Sequence, residues 1–141
     1  MNIVFCVCRS WNIKILEGLI RIQKTKRWKV NFIIAPTGTE ISQLDEMKIS
    51  YIQPTQLEKY SDTIKSKNPQ VIICYGWSWK IPESILKIAP CLILHPSPLP
   101  RYRGGSPIQN QLLDGVKESA VTIFYATGRL DSGDILAQEP I

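Results

Sequence analysis

Four short apolar runs, at residues 2–7, 30–35, 71–75 and 91–94, constrain this chain more than any other feature. They are too short for buried helices and show almost no polar alternation, as strands covered on both faces do. Between them the spacing turns helical. Ile13, Leu16, Leu19, Ile20 and Gln23 predict a first helix ending near residue 26, with Ser10 or Asn12 as its cap. Thr55-Gln56-Leu57-Glu58 reads as a capping box, and Leu57, Ser61 and Ile64 share one face of the helix it opens. Weaker patterns at 39–48 and 82–88 suggest shorter helices, and residues 49–52, 120–125 and 135–141 read as further strands. Strands alternating with helices imply βαβ units. The expected fold is α/β, a doubly wound, mainly parallel sheet, in one domain spanning residues 1–141.

The densest chemistry follows the fifth strand. His95, the single histidine of the chain, sits at the C-terminal end of that strand. Pro96, Pro98, Pro100, Gly104 and Gly105 then rule out regular structure and stiffen a loop that also carries Ser97, Arg101 and Arg103. Ser106, Pro107 and Gln109 predict a helix start, as N-cap, first helical residue and far member of a second capping box; Gly115 is its expected stop. In open α/β sheets, ligands bind beyond the carboxyl ends of the strands.

Several function classes are disfavoured by what the sequence lacks. The turn at residues 8–12 has no glycine, so the dinucleotide G-x-G-x-x-G fingerprint is missing. Cys6, Cys8, Cys74 and Cys91 lie in apolar runs without C-x-x-C spacing, so reduced buried thiols and no metal site are expected. Ser97 stands in no G-x-S-x-G elbow. The net charge of +5 suits an anionic ligand. The basic residues are dispersed, however, and the densest run, Lys24, Lys26, Arg27 and Lys29, reads as a solvated helix end. A nucleic-acid partner is therefore not expected. The first residues form a strand rather than a basic leader, and no apolar run approaches the ~18 residues of a membrane span, so a cytoplasmic protein is expected.

Three loops, at 76–82, 95–105 and 127–134, follow strands read as parallel, and would then share one edge of the sheet. They bring aromatic surface (Trp77, Trp79), a histidine with two arginines, and carboxylates (Asp131, Asp134). A carboxylate beside His95 would make a proton-transfer pair. On spacing alone each feature keeps a plainer reading: the tryptophans as core, the arginines as surface charge, the aspartates as a turn, and His95 as a satisfied polar residue.

Residues 71–141 resemble the folate-dependent formyltransferases, among them the methionyl-tRNA, sugar and glycinamide ribonucleotide enzymes. The likeness rests on His95-Pro96-Ser97-Pro98-Leu99-Pro100, Arg103-Gly104-Gly105-Ser106-Pro107-Ile108-Gln109, Val121-Thr122-Ile123 and Leu130-Asp131-Ser132-Gly133-Asp134. It implies a Rossmann-like catalytic domain, short at its C-terminus, that passes the formyl group of N10-formyltetrahydrofolate to an amine. It places catalysis on His95 and Asp131. It implies a folate site on Tyr75, Gly76, Trp77, Ser78, Trp79 and Ile81, with Gly128 and Leu130 from the facing loop, and acceptor contacts on Ser97, Arg103, Gly104 and Gly105. The resemblance also implies a catalytic asparagine two residues before the histidine, where this chain has Ile93. An oxyanion donor of that kind is typically worth ~10²–10³ in rate.

The version of the motif points to the amino group of an anionic, nucleotide-linked amino sugar as acceptor, and a homodimer is a candidate assembly. The alternatives are methionyl-tRNA formyltransferase-like activity, transfer to another amine, hydrolysis of the formylfolate, and a degenerate relative that binds folate without turnover.

Overall fold

The computed structural model describes residues 1–39 and 42–141. Chain order is β1 (Asn2–Cys6), α1 (Ser10–Gln23), β2 (Lys29–Ile34), α2 (Ser42–Glu46), β3 (Tyr51–Ile52), a 3₁₀ turn (Leu57–Tyr60), α3 (Ser61–Ser66), β4 (Val71–Tyr75), α4 (Glu83–Leu86), β5 (Cys91–His95), α5 (Pro107–Leu113), β6 (Ala120–Tyr125) and β7 (Ile135–Pro140). The strands form one sheet in the order β3-β2-β1-β4-β5-β6-β7. The first five are parallel.

Two apolar layers explain why the runs lack alternation. Val4, Cys6, Phe32, Ile72, Cys74 and Cys91 face one way and pack with Leu57, Ile64 and Ile85. Ile3, Phe5, Val7, Val30 and Ile33 face the other way and pack with Ile13, Leu16 and Leu44. With period-two alternation, both side-chain sets of a central strand must be apolar. Each such Phe, Ile or Leu contributes ~1.5–3 kcal/mol when withdrawn from water, which fixes the register of the middle strands. Consecutive strands run outward from β1 to β3, and the chain then crosses back to place β4 on the other flank of β1. The order therefore reverses between β1 and β4.

One topological expectation is corrected. β6 runs antiparallel to β5, with His95 opposite Thr122 and Leu92 opposite Tyr125, and β7 runs antiparallel to β6. The loop after β6 therefore leaves the sheet at the far end from His95. It comes back across the sheet face instead of sitting at the shared carboxyl edge.

Three predicted caps also differ. The N-cap of α1 is Arg9, with no side-chain cap bond. Asn12 lies inside the helix, fully buried, and its amide donates to the Tyr75 carbonyl. Its polar group ties α1 to β4 rather than opening the helix. Gln56 precedes a 3₁₀ turn without a capping bond, so Thr55 and Glu58 do not form the box. Ser106 precedes α5 in left-handed conformation (φ 53°) and makes no side-chain cap either, although Pro107 does occupy the first helical position. The stop lies where the sequence places it: Gly115 N–H reaches the Leu112 carbonyl and Val116 N–H the Gln111 carbonyl, the paired bonds of a Schellman motif. The short helix expected at 39–48 is present as α2, and residues 40 and 41 of it lie outside the described residues.

Candidate active site

β5 delivers His95 to a cleft of about 760 Å³, within the range of small-molecule sites. Cys91, Ile93 and His95 share one face of that strand by alternation, and the register sets Ile93 against Phe124 of β6. Ile93, His95 and Phe124 form the floor. The Phe124 ring meets the imidazole edge-on, 6.5 Å between centroids.

The imidazole is held from both sides. Nε2 lies 2.8 Å from the Tyr102 carbonyl oxygen, which can only accept, so Nε2 carries a proton. Nδ1 lies 3.7 Å from Oδ2 of Asp131. That carboxylate oxygen also accepts the Gly104 N–H at 2.8 Å. One carboxylate thus joins three segments: the histidine strand, the glycine turn and the returning loop. The backbone bends hard to make this joint, since Tyr102, Ser106 and Asp131 all have positive φ (58°, 53° and 43°). Non-glycine residues in that region cost of order 1–3 kcal/mol each and cluster at functional sites.

The loop carrying His95 is braced by buried polar groups. Ser97 is fully buried, and its hydroxyl donates to the Arg101 carbonyl at 2.9 Å. Thr122 donates to the Ser97 carbonyl at 2.7 Å, and Gln138 of β7 donates to Leu99 O and Thr122 Oγ1. Gln111 of α5 donates to the Pro96 carbonyl at 2.9 Å. Each bond replaces hydration lost on burial, so the loop is fixed without regular structure.

Two further loops wall the cleft. Gly76 turns the chain out of β4 with φ 61°, a conformation that favours glycine; a β-carbon there would also lie 2.7 Å from Asn12 Nδ2 and 2.8 Å from Trp11. Trp77, Ser78, Trp79, Lys80 and Ile81 follow along the cleft. Trp77 and Trp79 meet edge to face at 5.3 Å; Trp77 is half-buried and Trp79 is exposed. Opposite them run Ala126, Thr127, Gly128, Arg129, Leu130 and Asp131. This segment closes on itself where Gly133 passes the Tyr125 carbonyl so tightly that a β-carbon would sit 1.6 Å from it.

The predicted residues divide accordingly. His95, Asp131, Gly76, Trp77, Ser78, Trp79, Ile81, Gly128, Leu130, Gly104 and Gly105 line the cleft, although Ile81 is also buried core. Tyr75, Ser97 and Arg103 are not in the lining. The Tyr75 ring faces the opposite layer and packs edge-on against Trp11 at 5.0 Å. Ser97 is consumed by the loop braces, and Arg103 is exposed. Asp134 is likewise outside the lining, so Asp131 is the carboxylate that meets His95. The lining also includes Arg9 and Trp11, from the turn after β1, which the sequence pattern did not single out. Their signal is topological: the turn borders the point between β1 and β4 where strand order reverses.

The thiols take no part in the cleft lining. Burial, with the neighbouring Cys74, pushes the Cys91 thiol up to about 12, and Cys74 is raised by its hydrogen bond with Cys6 and by burial. Among the described residues no cluster of metal-ligating side chains occurs, and no helix is long and apolar enough to cross a membrane.

Comparison with known proteins agrees with this architecture. The chain is 44% identical over 93 residues to the methionyl-tRNA formyltransferase of a Sulfurovum species, covering 64% of this chain and 31% of that protein. It is 33% identical over 152 positions to the enzyme of the same name from a Nitratiruptor species, covering all of this chain and 50% of that one. The chain thus spans half or less of the length of these two relatives. The crystal structure of phosphoribosylglycinamide formyltransferase from Bacillus Halodurans superposes with a TM-score of 0.87 at 21% identity, over 100% of this chain and 79% of that one, a likeness of fold. Residues 23–141, which hold the histidine strand, the glycine turn and the returning aspartate loop, match the Formyl transferase family model, and the chain belongs to that family.

Proposed function

We propose that the cleft transfers a formyl group from N10-formyltetrahydrofolate to the primary amine of a small anionic, nucleotide-linked acceptor, an amino sugar by the form of its motif. The observation that carries this reading is the His95–Asp131 pair on the floor of a cleft walled by an aromatic loop and a backbone-rich loop. A pterin is flat and hydrogen-bonding at its edge; tryptophan faces and the backbone of residues 126–130 suit both properties.

In this scheme the cofactor supplies the formyl group, and the residues of this chain do the rest. The amine would add to the formyl carbon and place negative charge on its oxygen; the bond from that carbon to N10 would then break, with the proton lost by the amine passing through His95 to N10 of the departing tetrahydrofolate. His95, protonated on Nε2 and held by Tyr102, presents Nδ1 between Asp131 and the cleft, where a second proton would stabilise that charge. Asp131 orients the ring and supports its positive form. Ile93, on the same floor, offers no hydrogen bond.

The supporting experiment measures tetrahydrofolate release with nucleotide-linked 3- and 4-amino sugars, with methionyl-tRNA in a parallel arm. The names of the two relatives favour the tRNA arm as a second reading. Binding of a formylfolate analogue should quench Trp77 and Trp79 fluorescence, against Trp11 and Trp28 as background. Folate binding undiminished in both Trp77→Leu and Trp79→Leu would overturn the assignment of the aromatic wall. Release of tetrahydrofolate with neither acceptor would overturn the transfer reading.

A further inference from the structure

We infer that the outer face of α1 seats on an anionic phospholipid surface, with Trp11, Ile15 and Ile22 at the headgroup boundary and the neighbouring cations among the headgroups. The inference goes beyond the formyl-transfer reading and does not depend on it.

α1 buries Ile13 and Leu16 against the sheet, the inner face that its period provides. A second apolar row on the same helix stands in solvent. At about 100° per residue, Trp11, Ile15, Gly18 and Ile22 fall within about 60° of one another and run about 17 Å along the axis. Trp11 is 48% exposed, Ile15 40% and Ile22 48%, and the space above Gly18 is open. One edge of Trp11 is fixed against Tyr75, which holds the indole in place. Single exposed apolar side chains are ordinary on a protein surface; an aligned row on one helix marks a contact face.

Charge decides what the row fits. From residue 10 to residue 29 the chain has six cations, Lys14, Arg21, Lys24, Lys26, Arg27 and Lys29, and one carboxylate, Glu17. All six cations are exposed. Among the described residues the ion pairs are Lys87–Glu83 and His95–Asp131, so no carboxylate neutralises any of the six. Helix-end electrostatics account for Arg21, in the last turn of α1. Lys24, Lys26, Arg27 and Lys29 lie past that turn, and Lys14 borders the apolar row on its solvent side.

An indole and aliphatic row bordered by unpaired cations is the composition of a helix face that lies in a membrane interface. A nucleic-acid backbone would use the cations and leave the isoleucines in water. A second copy laid face to face about a two-fold axis would bring Lys14 and Arg21 of both chains into one contact, like charge against like. An anionic bilayer uses both halves. No helix among the described residues is long and apolar enough to cross it, so the contact is peripheral. Trp11 also lines the cleft, and a bilayer seated on the row therefore lies beside it.

The test is co-sedimentation of the full chain with vesicles of mixed phosphatidylglycerol and phosphatidylcholine, and with vesicles of phosphatidylcholine alone. Binding to the anionic vesicles is expected at low salt, with release at high salt and no binding to phosphatidylcholine. Lys24→Gln combined with Lys26→Gln should weaken binding about thirtyfold. Ile15→Ser combined with Ile22→Ser should weaken it about tenfold or more, at a melting temperature close to the parent's. Brominated lipid should quench the parent's tryptophan emission and quench Trp11→Phe much less. That quenching decides the case if the isoleucine variant is unstable, and its absence overturns the inference. No binding to anionic vesicles at low salt overturns it, as does equal binding to phosphatidylcholine. Binding lost in the lysine variant and kept in a stable isoleucine variant reduces the face to a polyanion surface and overturns it. A dimer in sedimentation analysis that the isoleucine variant dissociates gives the face to a second copy and overturns it too.

Discussion

His95 Nδ1 and Asp131 Oδ2 face each other at 3.7 Å, with 8% and 10% of their side chains exposed, although 36 residues and an antiparallel turn of the sheet separate them in the chain. The pair is sheltered from bulk water and open to the cleft. Its interaction is therefore weakly screened at the point where charge would develop.

Asp131→Asn is expected to lower formyl transfer by about 10²-fold or more, since the amide keeps the size but not the charge that supports the imidazolium. Asparagine tolerates left-handed backbone well and its oxygen still accepts the Gly104 N–H, so the melting temperature should stay close to the parent's. His95→Ala should abolish transfer with the fold retained. Parental turnover in either purified variant would remove the pair from the mechanism.

Ile93→Asn is expected to raise the single-turnover rate, by up to the ~10²–10³ that an oxyanion donor is worth. Ile93 is only half-buried and lines the cleft, so an amide there can reach a ligand or water rather than being stranded. Melting temperature and rate measured on the same sample separate the outcomes. A stable variant without gain would show that another group already fills the donor role.

Gly133→Ala should be among the most damaging single-methyl changes outside the core. The added carbon would overlap the Tyr125 carbonyl, and relief requires moving the loop that carries Asp131 two residues earlier. A stability loss of ~1–3 kcal/mol is expected, as for overpacking, together with loss of transfer. Denaturant unfolding and turnover check the two separately; an active, fully stable variant would contradict the tight return of this loop.

The thiols predict an alkaline limb of stability. Below about pH 9, Cys91 is protonated in both folded and unfolded chains and contributes nothing to pH dependence. Between that value and about 12, the unfolded chain ionises first, so stability falls as pH rises. Melting curves of parent and Cys91→Ala at pH 8 and pH 10 should show a smaller alkaline drop in the variant. Native alkylation at pH 8 should reach half-buried Cys8 before Cys6, Cys74 or Cys91; equal labelling of all four would contradict their burial.

Composition and period are enough for the sheet's interior. Residues 71–75 are apolar without alternation because both faces of β4 are covered, and a parallel, doubly wound arrangement provides that cover. The proline- and glycine-bounded loop after His95 is equally plain, because those residues act on their own backbone whatever surrounds them. What the sequence alone determined was thus the local and the periodic: which runs are strands, where α5 stops, which loop carries the histidine. The tertiary structure decided direction and partnership. Hydrophobic pattern does not encode whether a strand runs parallel to its neighbour, and β6 proved antiparallel to β5, so Asp131 reaches His95 by folding back over the sheet. Polar side chains such as Asn12 and Ser106 suit a helix cap in isolation, but tertiary contacts and backbone bends override that use. Arg9 and Trp11 became part of the cleft only because β1 and β4 lie side by side, with Ile3 opposite Val71 and Cys6 opposite Cys74. That adjacency is set by packing the whole sheet, and no local motif carries it.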